Sequence, residues 1–368
     1  MSQGRVVVGH PVDVGSGAMF TMSTDFRLPG AVGLRWQRHY STIATRDGWL
    51  GIKWTVPYFM TLEWHSDRYI LSGSHGQEIP FAAPTGRLRA GAVLPNFTAN
   101  MELRREAQHY SVLHWHPHGD ISRFCFLAKD DRRLPLGWIE DFAGNRLRVE
   151  YDAKGRPIRL VQEMEHRTVE ITYDRRDLIS TAHFLAKAGR KPLARYEYDD
   201  SRRLISAWDA LGYRKSYEYD RENRMTAEIN PLGSKFVFEY DRQGRCIRSA
   251  GSDGYMERKL QYHTVSRMTR VTDSQGGVTE YYLNPAGQVV QTVKPLGGVT
   301  TKAFDEYGRL VEVVHTDGSK ESYGYDDAGN RTTSVDPCGA KTQIEHNEQH
   351  KPTRLVDRNG YAWSLKKQ

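Results

Sequence analysis

The chain contains 368 residues with a formal net charge of +7, and 38% of its residues are hydrophobic. It has no run of about 18 apolar residues, so the sequence predicts no membrane helix, and its first residues lack the apolar stretch of a secretory signal. The 52 basic and 45 acidic residues are intermixed, without the blocks of like charge that are typical of nucleic-acid-binding tails. Three scattered cysteines favour a reducing compartment. We therefore expect a chain that is cytoplasmic when made, with no nucleic-acid partner and no stable membrane insertion.

Residues 1–135 predict an irregular, β-rich N-terminal region. Six of the eight tryptophans precede residue 140, whereas sixteen of the twenty tyrosines follow it. Segments such as RYILSG and SVLHWH have the composition of strands. The polar stretch DDRRLPLG places a domain boundary near residue 135, which divides the chain into residues 1–135 and 136–368. The pattern leaves open whether the first region caps the sheet of the second or folds on its own.

The second region contains about ten copies of one short repeat. From Tyr198 onward its anchor recurs every 21 residues, with one interval of 22. Full Tyr-Asp anchors occur at Tyr151 and Asp152, Tyr173 and Asp174, Tyr198 and Asp199, Tyr219 and Asp220, Tyr240 and Asp241, and Tyr325 and Asp326. Degenerate anchors begin at Tyr262, Leu283, Phe304 and His346. A fixed period of this kind indicates a repeat architecture.

Each repeat predicts one β-hairpin. A second turn signal, such as DALG at 209–212 or NPLG at 230–233, separates two short apolar runs in each repeat. Tyr196, Tyr217 and Phe238 stand two positions before an anchor tyrosine, and alternate residues of a strand share a face. The anchor Asp should accept hydrogen bonds from turn amides, and glycine should let the chain reverse. We therefore predict an all-β fold with almost no helix, in which a long antiparallel sheet of hairpins curls into a partial shell.

The repeat resembles the YD repeat of the Rhs (rearrangement hotspot) family, which is built around YDxxGR. GHPVDVGSGAMFTMSTDFRLPGAVGLRWQRHYST at 9–42 resembles the segment that precedes the repeats in Rhs proteins. DGWLGIKWTVPYFMTLEW at 47–64 resembles the stretch that follows that segment, and EDFAGNRLRVEYDAKGRPIRL at 140–160 resembles a first repeat. The resemblance extends over nearly the whole chain and identifies it as the N-terminal part of an Rhs repeat shell.

In this family the repeats form a hollow β-shell around a C-terminal toxin, which a type VI secretion machine or an insecticidal toxin complex delivers. The resemblance implies a structural protein of interbacterial competition or of a toxin complex, secreted by a machine that needs no signal peptide. The implied partners are the remaining Rhs shell or another copy at the C-terminal sheet edge, an enclosed toxin, and secretion spike components. The sequence lacks a spike-tip domain, a DPxGLxGG-type core-terminating motif and a variable toxin segment, so we expect a truncated shell piece without its toxin.

A carbohydrate- or ligand-binding repeat module is the alternative function, because rows of aromatic rings can stack on sugars or choline. That function requires exposed rings, so the exposure of Tyr217 and Tyr219 distinguishes it from a shell. An enzyme is the third hypothesis, and it requires a pocket whose residues break the repeat phase. The sequence contains no glycine-rich phosphate loop.

The segment HWHPHGD at 114–120 contains weak candidates for a metal site. His114, His116 and His118 are spaced to share one strand face and could bind zinc or nickel. Pro117 interrupts the strand, however, so the tip of a hairpin is the favoured interpretation.

The remaining candidates for chemistry also have structural explanations. DPCGA at 336–340 begins like the self-cleavage motif of Rhs proteins, but it lacks the continuation Leu-x-Gly-Gly and occupies a second-turn position. Cys125, Cys246 and Cys338 are not paired with a histidine by the repeat phase, and buried thiols are usually structural. We therefore predict no enzymatic activity and no cofactor.

Strand counting predicts an incomplete shell. Ten hairpins give about twenty strands, or a sheet roughly 100 Å wide at about 4.8 Å per strand. A shell around a folded toxin has a circumference of about 200 Å, so the repeats should span about half of one turn. The segments TQIEHN and YAWSL would then form an unpaired edge, which is a template for another strand. We expect the isolated chain to be oligomeric or poorly soluble because of this edge.

Overall fold

The computed structural model describes residues 4–45, 47–84, 86–115, 121–128 and 132–365. The predicted all-β fold with almost no helix is confirmed, since only 3% of the chain is helical. The described helices are three single 3-10 turns at Pro57–Phe59, Phe97–Ala99 and Ser252–Gly254. None of the helices in these ranges approaches the length and apolarity that a membrane crossing requires.

The first five strands form two small sheets that are separate from the long sheet. Strands β1 and β2 pair with each other, and β3, β4 and β5 form a three-stranded antiparallel sheet. Their bounds are β1 (Val7–Val8), β2 (Val12–Asp13), β3 (Phe20–Leu28), β4 (Leu34–Ser41) and β5 (Trp54–Thr55). Residues 4–55, which include these strands, are called the N-terminal segment below.

The long sheet begins with eight strands that precede the strands of the repeats. They are β6 (Thr61–His65), β7 (Arg68–Ser72), β8 (Glu78–Ala82), β9 (Val93–Asn96), β10 (Met101–Arg105), β11 (His109–Trp115), β12 (Ile121–Leu127) and β13 (Arg133–Glu140). β13 pairs with β12, while on its other edge it pairs first with β6 and then with β14. The meander β6–β7–β8 therefore branches from the sheet at this strand.

The repeats continue the same sheet as consecutive hairpins. Their strands are β14 (Arg146–Tyr151), β15 (Pro157–Gln162), β16 (Arg167–Tyr173), β17 (Ile179–Ala186), β18 (Gly189–Tyr198), β19 (Leu204–Trp208), β20 (Arg214–Tyr219), β21 (Met225–Ile229), β22 (Lys235–Tyr240), β23 (Cys246–Gly251), β24 (Arg258–His263), β25 (Met268–Asp273), β26 (Val278–Leu283), β27 (Val289–Val293), β28 (Val299–Phe304), β29 (Leu310–Val314), β30 (Lys320–Tyr325), β31 (Arg331–Val335), β32 (Lys341–His346), β33 (Pro352–Val356) and β34 (Ala362–Ser364). Within the described residues the 29 strands from β6 to β34 form one antiparallel sheet that stays open, as expected for a partial shell.

The two faces of the repeat sheet differ in chemistry because side chains alternate along each strand. Tyr196, Tyr217 and Phe238, which we call the aromatic row, lie on the buried face of the sheet. We call this face the inner face. The opposite, outer face has cross-strand ion pairs such as Lys235–Glu218 at 2.8 Å. The outer face is therefore a solvated surface, and the core lies on the inner face.

The two ends of the hairpins form two rims. The YD rim consists of the turns that follow the anchors, from 152–156 to 347–351, and the opposite rim contains the alternating turns, such as 141–145, 163–166 and 209–213. Late turns of the YD rim contact early turns of the opposite rim. We call this line of contacts the seam. At the seam Thr98 Oγ1 donates to the carbonyl of Tyr307 at 2.7 Å, and the Trp115 and His350 rings stack with centroids 3.9 Å apart.

The seam shows that the sheet curls further than the half turn expected from strand counting. Strands β6–β13 add to the arc, and the N-terminal segment occupies part of the interior. The part of the interior that the N-terminal segment covers is therefore filled by the chain itself. The expected half turn was wrong because it assumed that only the repeats form the sheet and that the interior has the size of a folded toxin.

Candidate functional site at the inner face

The anchor aspartate organises each YD turn. In the turn after Tyr219, Asp220 Oδ1 accepts hydrogen bonds from the backbone N–H groups of Glu222 and Arg224 at 3.0 and 2.8 Å. Its Oδ2 accepts from Arg224 Nε at 2.6 Å. The same aspartate-arginine pair closes the turns at Asp152, Asp199, Asp241 and Asp305, and Asp174 and Asp326 bond their turns in related ways. The aspartate thus accepts hydrogen bonds from turn amides that have no partner in a neighbouring strand and would otherwise bond to solvent.

The anchor tyrosine couples each repeat to the one before it. Tyr219 donates its hydroxyl to the carbonyl of Leu204 at 2.8 Å, and Tyr240 donates to Met225 at 2.6 Å. The other full anchors make the equivalent bond, Tyr151 to Leu136, Tyr173 to Pro157, Tyr198 to Ile179 and Tyr325 to Leu310. Burial raises the pKa of Tyr219 well above its ordinary value, so the hydroxyl stays a donor.

The motif arginine forms a second coupling between neighbouring repeats. The guanidinium of Arg224 lies over the Tyr240 ring at 4.9 Å, and its Nη1 donates to the carbonyl of Asp241. Arg156, Arg203, Arg245 and Arg309 stack in the same way on the next anchor tyrosine. The YDxxGR consensus therefore fixes both its own turn and the spacing to the next hairpin.

The turns also contain a feature that the sequence reasoning missed. The expected glycines, such as Gly244 and Gly308, have positive φ values of 82° and 75°. Elsewhere the same position is held by Asp177, Arg202, Asn223 and His350, with φ values from 60° to 66°. A non-glycine residue in this region costs about 1–2 kcal/mol, so each of these residues needs a compensating contact. Asp177 and His350 have such contacts, with Arg156 and with the seam.

A β-bulge follows every anchor except Tyr262, and each bulge leaves one backbone position without a ladder partner. The N-terminal segment accepts the backbone N–H groups at four of these positions. Ile179 donates to the carbonyl of Trp49, Met225 to the hydroxyl of Tyr40, Cys246 to the carbonyl of Gly17 and Val289 to the carbonyl of Gly4, at 2.7–2.9 Å. Pro157 and Pro352, at the corresponding positions of other repeats, have no N–H to satisfy. The N-terminal segment therefore completes the hydrogen bonding of the bulges.

A buried ion pair attaches the N-terminal segment to the aromatic row. Arg38 forms a bidentate bond to Asp25 at 2.7 and 2.9 Å, and both side chains are almost fully buried. Tyr196 donates to Asp25 at 2.5 Å, and Arg38 donates to Tyr217. Burial alone would lower the pKa of Arg38, but the Asp25 carboxylate raises it well above the ordinary value. The pair is therefore charged and fully bonded, as a buried pair must be.

A second buried carboxylate joins the segment to the next repeat. Glu228 lies within 3.1 Å of His10, 2.8 Å of Thr21 and 3.2 Å of Lys215. Burial by itself raises the pKa of Glu228, but these three partners lower it to about 2. The His10 ring also stacks on Phe236 with centroids 4.3 Å apart. This cluster fixes residues 10–21 against the inner face.

Within the described residues, the N-terminal segment reaches the inner face of the late repeats at Gly4 and does not cover it further. Lys302, Tyr323 and Arg331 line a half-open hollow on the inner face, bounded on one side by Trp115. Their side chains are only half-buried, whereas Tyr217 is 3% exposed. Lys302 and Arg331 make this part of the interior more polar than the part that the N-terminal segment covers.

The metal and thiol candidates fall at different places. His114 lies in β11 and pairs with Met101 and Ser122, while His116 and His118 lie outside the described residues. Among the described residues no three potential ligands come together in a metal-binding group.

The three cysteines and the DPCGA segment occupy ordinary structural positions. Cys125 and Cys246 are buried, and burial raises the pKa of each thiol to about 12. Cys338 is exposed in a turn in which Asp336 accepts from the Cys338 and Ala340 amides at 2.9 Å. Thiols with raised pKa values are poor nucleophiles. The turn geometry at 336–340 is that of the other second turns.

Two family profiles match this chain. The family described as Teneurin YD-shell matches residues 125–360, and a domain of unknown function (DUF6531) matches residues 9–81. The first match covers more than half of the chain.

The chain is also similar to several known proteins. It is 26% identical over 215 residues to double-stranded DNA deaminase toxin A of Burkholderia cenocepacia (strain H111), covering 55% of this chain and 14% of that toxin. The crystal structure of TcdB2-TccC3 without its hypervariable C-terminal region is 14% identical, with a TM-score of 0.46 over 98% of this chain and 21% of that one. The Photorhabdus luminescens Tc holotoxin pore is 11% identical, with a TM-score of 0.44 over 94% of this chain and 26% of that one. The chain thus spans about a quarter or less of the length of each of these relatives.

Proposed function

Because the chain belongs to the teneurin YD-shell family, we propose that it forms part of the wall of a hollow Rhs-type shell that encloses a toxin. The contrast between the two faces of the repeat sheet is the observation that carries this proposal. The outer face has solvated ion pairs, and the inner face is lined by the aromatic row and, in the late repeats, by an uncovered polar surface. The similarity to a deaminase toxin associates such shells with toxins.

The proposed role in delivery extends this function. We place the protein in interbacterial competition or in a toxin complex, with export by type VI secretion or another machine that needs no signal peptide. Its proposed partners are the rest of the shell, the enclosed toxin and spike components, and it is cytoplasmic before export. Comparing its amount in culture supernatants of cells with and without the secretion machine tests this role.

The ligand-binding alternative is not favoured by the aromatic row. Tyr217 is 3% exposed and Tyr219 is half-buried, with its hydroxyl bonded to Leu204 and Trp54. Their faces are occupied by Arg38, Tyr40 and Trp54, so neither ring is free to stack on a sugar. We also propose that the chain has no catalytic role, and this is supported by the structural bonds of the anchor aspartates, such as Asp220 and Asp241 with their turn arginines.

Cysteine labelling on the two faces tests the proposed enclosure. Thr300 and Thr301 are adjacent in β28, so their side chains point to opposite faces of the sheet. Thr300 lies two positions before Lys302 and shares its inner face, whereas Thr301 points to the outer face. In a background with Cys338→Ser, Thr300→Cys and Thr301→Cys should both react with a maleimide in the chain alone. Co-expression with the polypeptide encoded immediately downstream should protect Thr300→Cys and leave Thr301→Cys reactive. Equal labelling of both variants in the co-expressed complex would contradict the proposal.

A further inference from the structure

Two cations of the late repeats break the repeat pattern on the inner face. Lys302 stands two positions before its anchor, Phe304, where every other repeat has an aromatic or aliphatic residue. Arg331 stands six positions after its anchor, Tyr325, where every other repeat has an apolar residue. A charged residue at a position that the repeat otherwise keeps apolar works against the packing of the fold, so it indicates a local function.

Both cations line the same hollow on the inner face. Gly4 of the N-terminal segment and Trp115 at the seam bound the hollow, and the Tyr323 ring lies 5.4 Å from the Arg331 guanidinium. The volume of the hollow is about 260 Å³, which is less than the roughly 300–1,000 Å³ of pockets that hold drug-sized ligands. The hollow therefore fits one or two side chains of a partner better than it fits a cofactor.

The two cations have no carboxylate to pair with in the described part of the chain. Glu321 lies on the same face, two strands away from Lys302, but its carboxylate accepts from the Tyr323 hydroxyl and lies 3.0 Å from His315 Nε2. By contrast, Lys215, an inner-face cation that the N-terminal segment covers, bonds to Glu228 at 3.2 Å. A half-buried cation without a counter-ion loses hydration that nothing replaces.

We propose that Lys302 and Arg331 bind a carboxylate side chain from an acidic segment of the polypeptide that the shell encloses. Charge complementarity selects the carboxylate, because a guanidinium and an ammonium both donate to it in charge-assisted hydrogen bonds. The position selects a polypeptide, because the N-terminal segment already presents a carboxylate to this face, where Asp25 accepts from Tyr196 at 2.5 Å. The identity of the occupant rests on the proposed enclosure, whereas the preference for a carboxylate does not.

Peptide binding to the full chain tests the preference for a carboxylate. The probe is a short rhodamine-labelled peptide with glutamates at alternate positions, and the reference is the same peptide with glutamines. The glutamate peptide should bind about tenfold more tightly or better, because the reference cannot accept charge-assisted hydrogen bonds, and added salt should weaken its binding. Lys302→Gln and Arg331→Gln should each remove this preference, whereas Lys320→Gln, on the outer face, should retain it.

Two further variants separate binding from folding. Lys302→Tyr and Arg331→Leu introduce the residues that neighbouring repeats have at these positions, Tyr323 and Leu310. Both variants should lose the preference for the glutamate peptide without lowering the urea midpoint of unfolding. A lower midpoint would show that the cations serve the fold and would overturn the proposal. Equal binding of the two peptides to the wild type would overturn it as well, and so would tighter binding of inorganic phosphate than of the glutamate peptide.

Cross-linking in the co-expressed complex tests the occupant. A carbodiimide joins an ammonium and a carboxylate that are in contact, so Lys302 should be linked to an aspartate or glutamate of the polypeptide encoded immediately downstream. Protection of Thr300→Cys from maleimide without this cross-link would overturn the occupant but not the enclosure. Free labelling of Thr300→Cys in the complex would overturn the enclosure and with it the occupant, while the peptide measurements would still decide the carboxylate site.

Discussion

Asp199 and Asp200 are adjacent in one YD turn but differ in bonding. Asp199 accepts from the Arg203 backbone N–H at 2.9 Å and from Arg203 Nε at 2.6 Å. Asp200 is exposed and makes no hydrogen bond within the described part of the chain. The contrast separates the role of the anchor from that of a surface charge.

Asp199→Ala should lower the free energy of unfolding by about 0.5–2 kcal/mol, because the turn amides lose a capping carboxylate. Asp200→Ala should change it by no more than about 0.5 kcal/mol. Urea denaturation of both variants measures the difference, and Asp220→Ala and Asp241→Ala should behave like Asp199→Ala. Equal effects at Asp199 and Asp200 would contradict the role assigned to the anchor.

We expect His39 to make the fold sensitive to acid. Its ring packs against His75 with centroids 4.1 Å apart, and its Nε2 has no hydrogen-bond partner among the described residues. The pKa of His39 is lowered from 6.5 to about 3, mainly by burial and to a smaller extent by the neighbouring His75. Below pH 6.5 the unfolded chain therefore gains a proton that the folded chain does not bind, and unfolding becomes more favourable until about pH 3.

Between pH 6 and 4 the free energy of unfolding should fall by about 1.4 kcal/mol per pH unit through this residue alone. His39→Asn should flatten the pH dependence of the free energy of unfolding, whereas Gln275→Ala, at an exposed residue that does not titrate, should leave the slope unchanged. Denaturation midpoints at several pH values give the slopes. Identical slopes in the wild type and His39→Asn would show that His39 is not the sensor.

The roles of the anchor residues were predictable because they are local. The sequence places Asp and Gly in one turn, and both act within five residues. The left-handed positions of Asp177 and His350 were not predictable, because their compensating contacts come from another repeat or from the seam. A missing glycine in a regular YD repeat is the signal that could have indicated them.

The bulges give the N-terminal segment a measurable effect on individual hairpins. Removing residues 1–17 deletes the carbonyl acceptors of Cys246 and Val289 but leaves Tyr40 and its bond to Met225. An uncapped amide exchanges with solvent through smaller openings. The amides of Cys246 and Val289 should therefore exchange faster in the truncated chain, by about tenfold or more.

The amide of Met225 is the internal control and should keep its protection. Hydrogen exchange followed by mass spectrometry or NMR resolves the three sites. If the exchange of Cys246 and Val289 is unchanged, the N-terminal segment does not cap the bulges in solution.

The hairpins could be predicted from the sequence, but the path of the N-terminal segment could not. Strands β18–β34 follow from anchors that recur about every 21 residues from Tyr198 onward, and β14–β17 follow from the less regular anchors at Tyr151 and Tyr173. Strands β1–β5 instead depend on partners far away in sequence, such as Tyr196 for Trp36 and Val289 for Gly4. Such partners leave no periodic signal in the segment itself, and only the family resemblance indicated that the segment accompanies the repeats.

Among the described residues the last strand of the sheet, β34, pairs with β33 on one side only. All three residues of β34 are exposed, and Tyr361, Trp363 and Leu365 are each between 47% and 66% exposed. An exposed apolar edge strand is a template for pairing with another chain. Whether the partner is the rest of the shell or another copy, the contact should involve this edge.

Sedimentation velocity of the isolated chain should show association that increases with protein concentration. Trp363→Lys should weaken that association, since a charged edge residue opposes strand pairing. Lys302→Ser, a change on the inner face away from the edge, is the control and should have no effect. A monomer at all concentrations, with β32 and β34 protected from exchange, would show that the edge is already satisfied.

The bond between Gly4 and Val289 has a consequence for the timing of synthesis. The two residues are 289 − 4 = 285 positions apart, and a ribosome adds about 5–20 residues per second. The first residues therefore wait roughly 15–60 s for their partner to be translated. Until the repeats that they contact have been translated, the apolar side chains of Val12, Val14 and Met19 have no inner face to cover, although in the finished protein all three are fully buried. A nascent chain that stalls before residue 289 should accordingly be bound by chaperones at its N-terminus, and release should follow the emergence of β27.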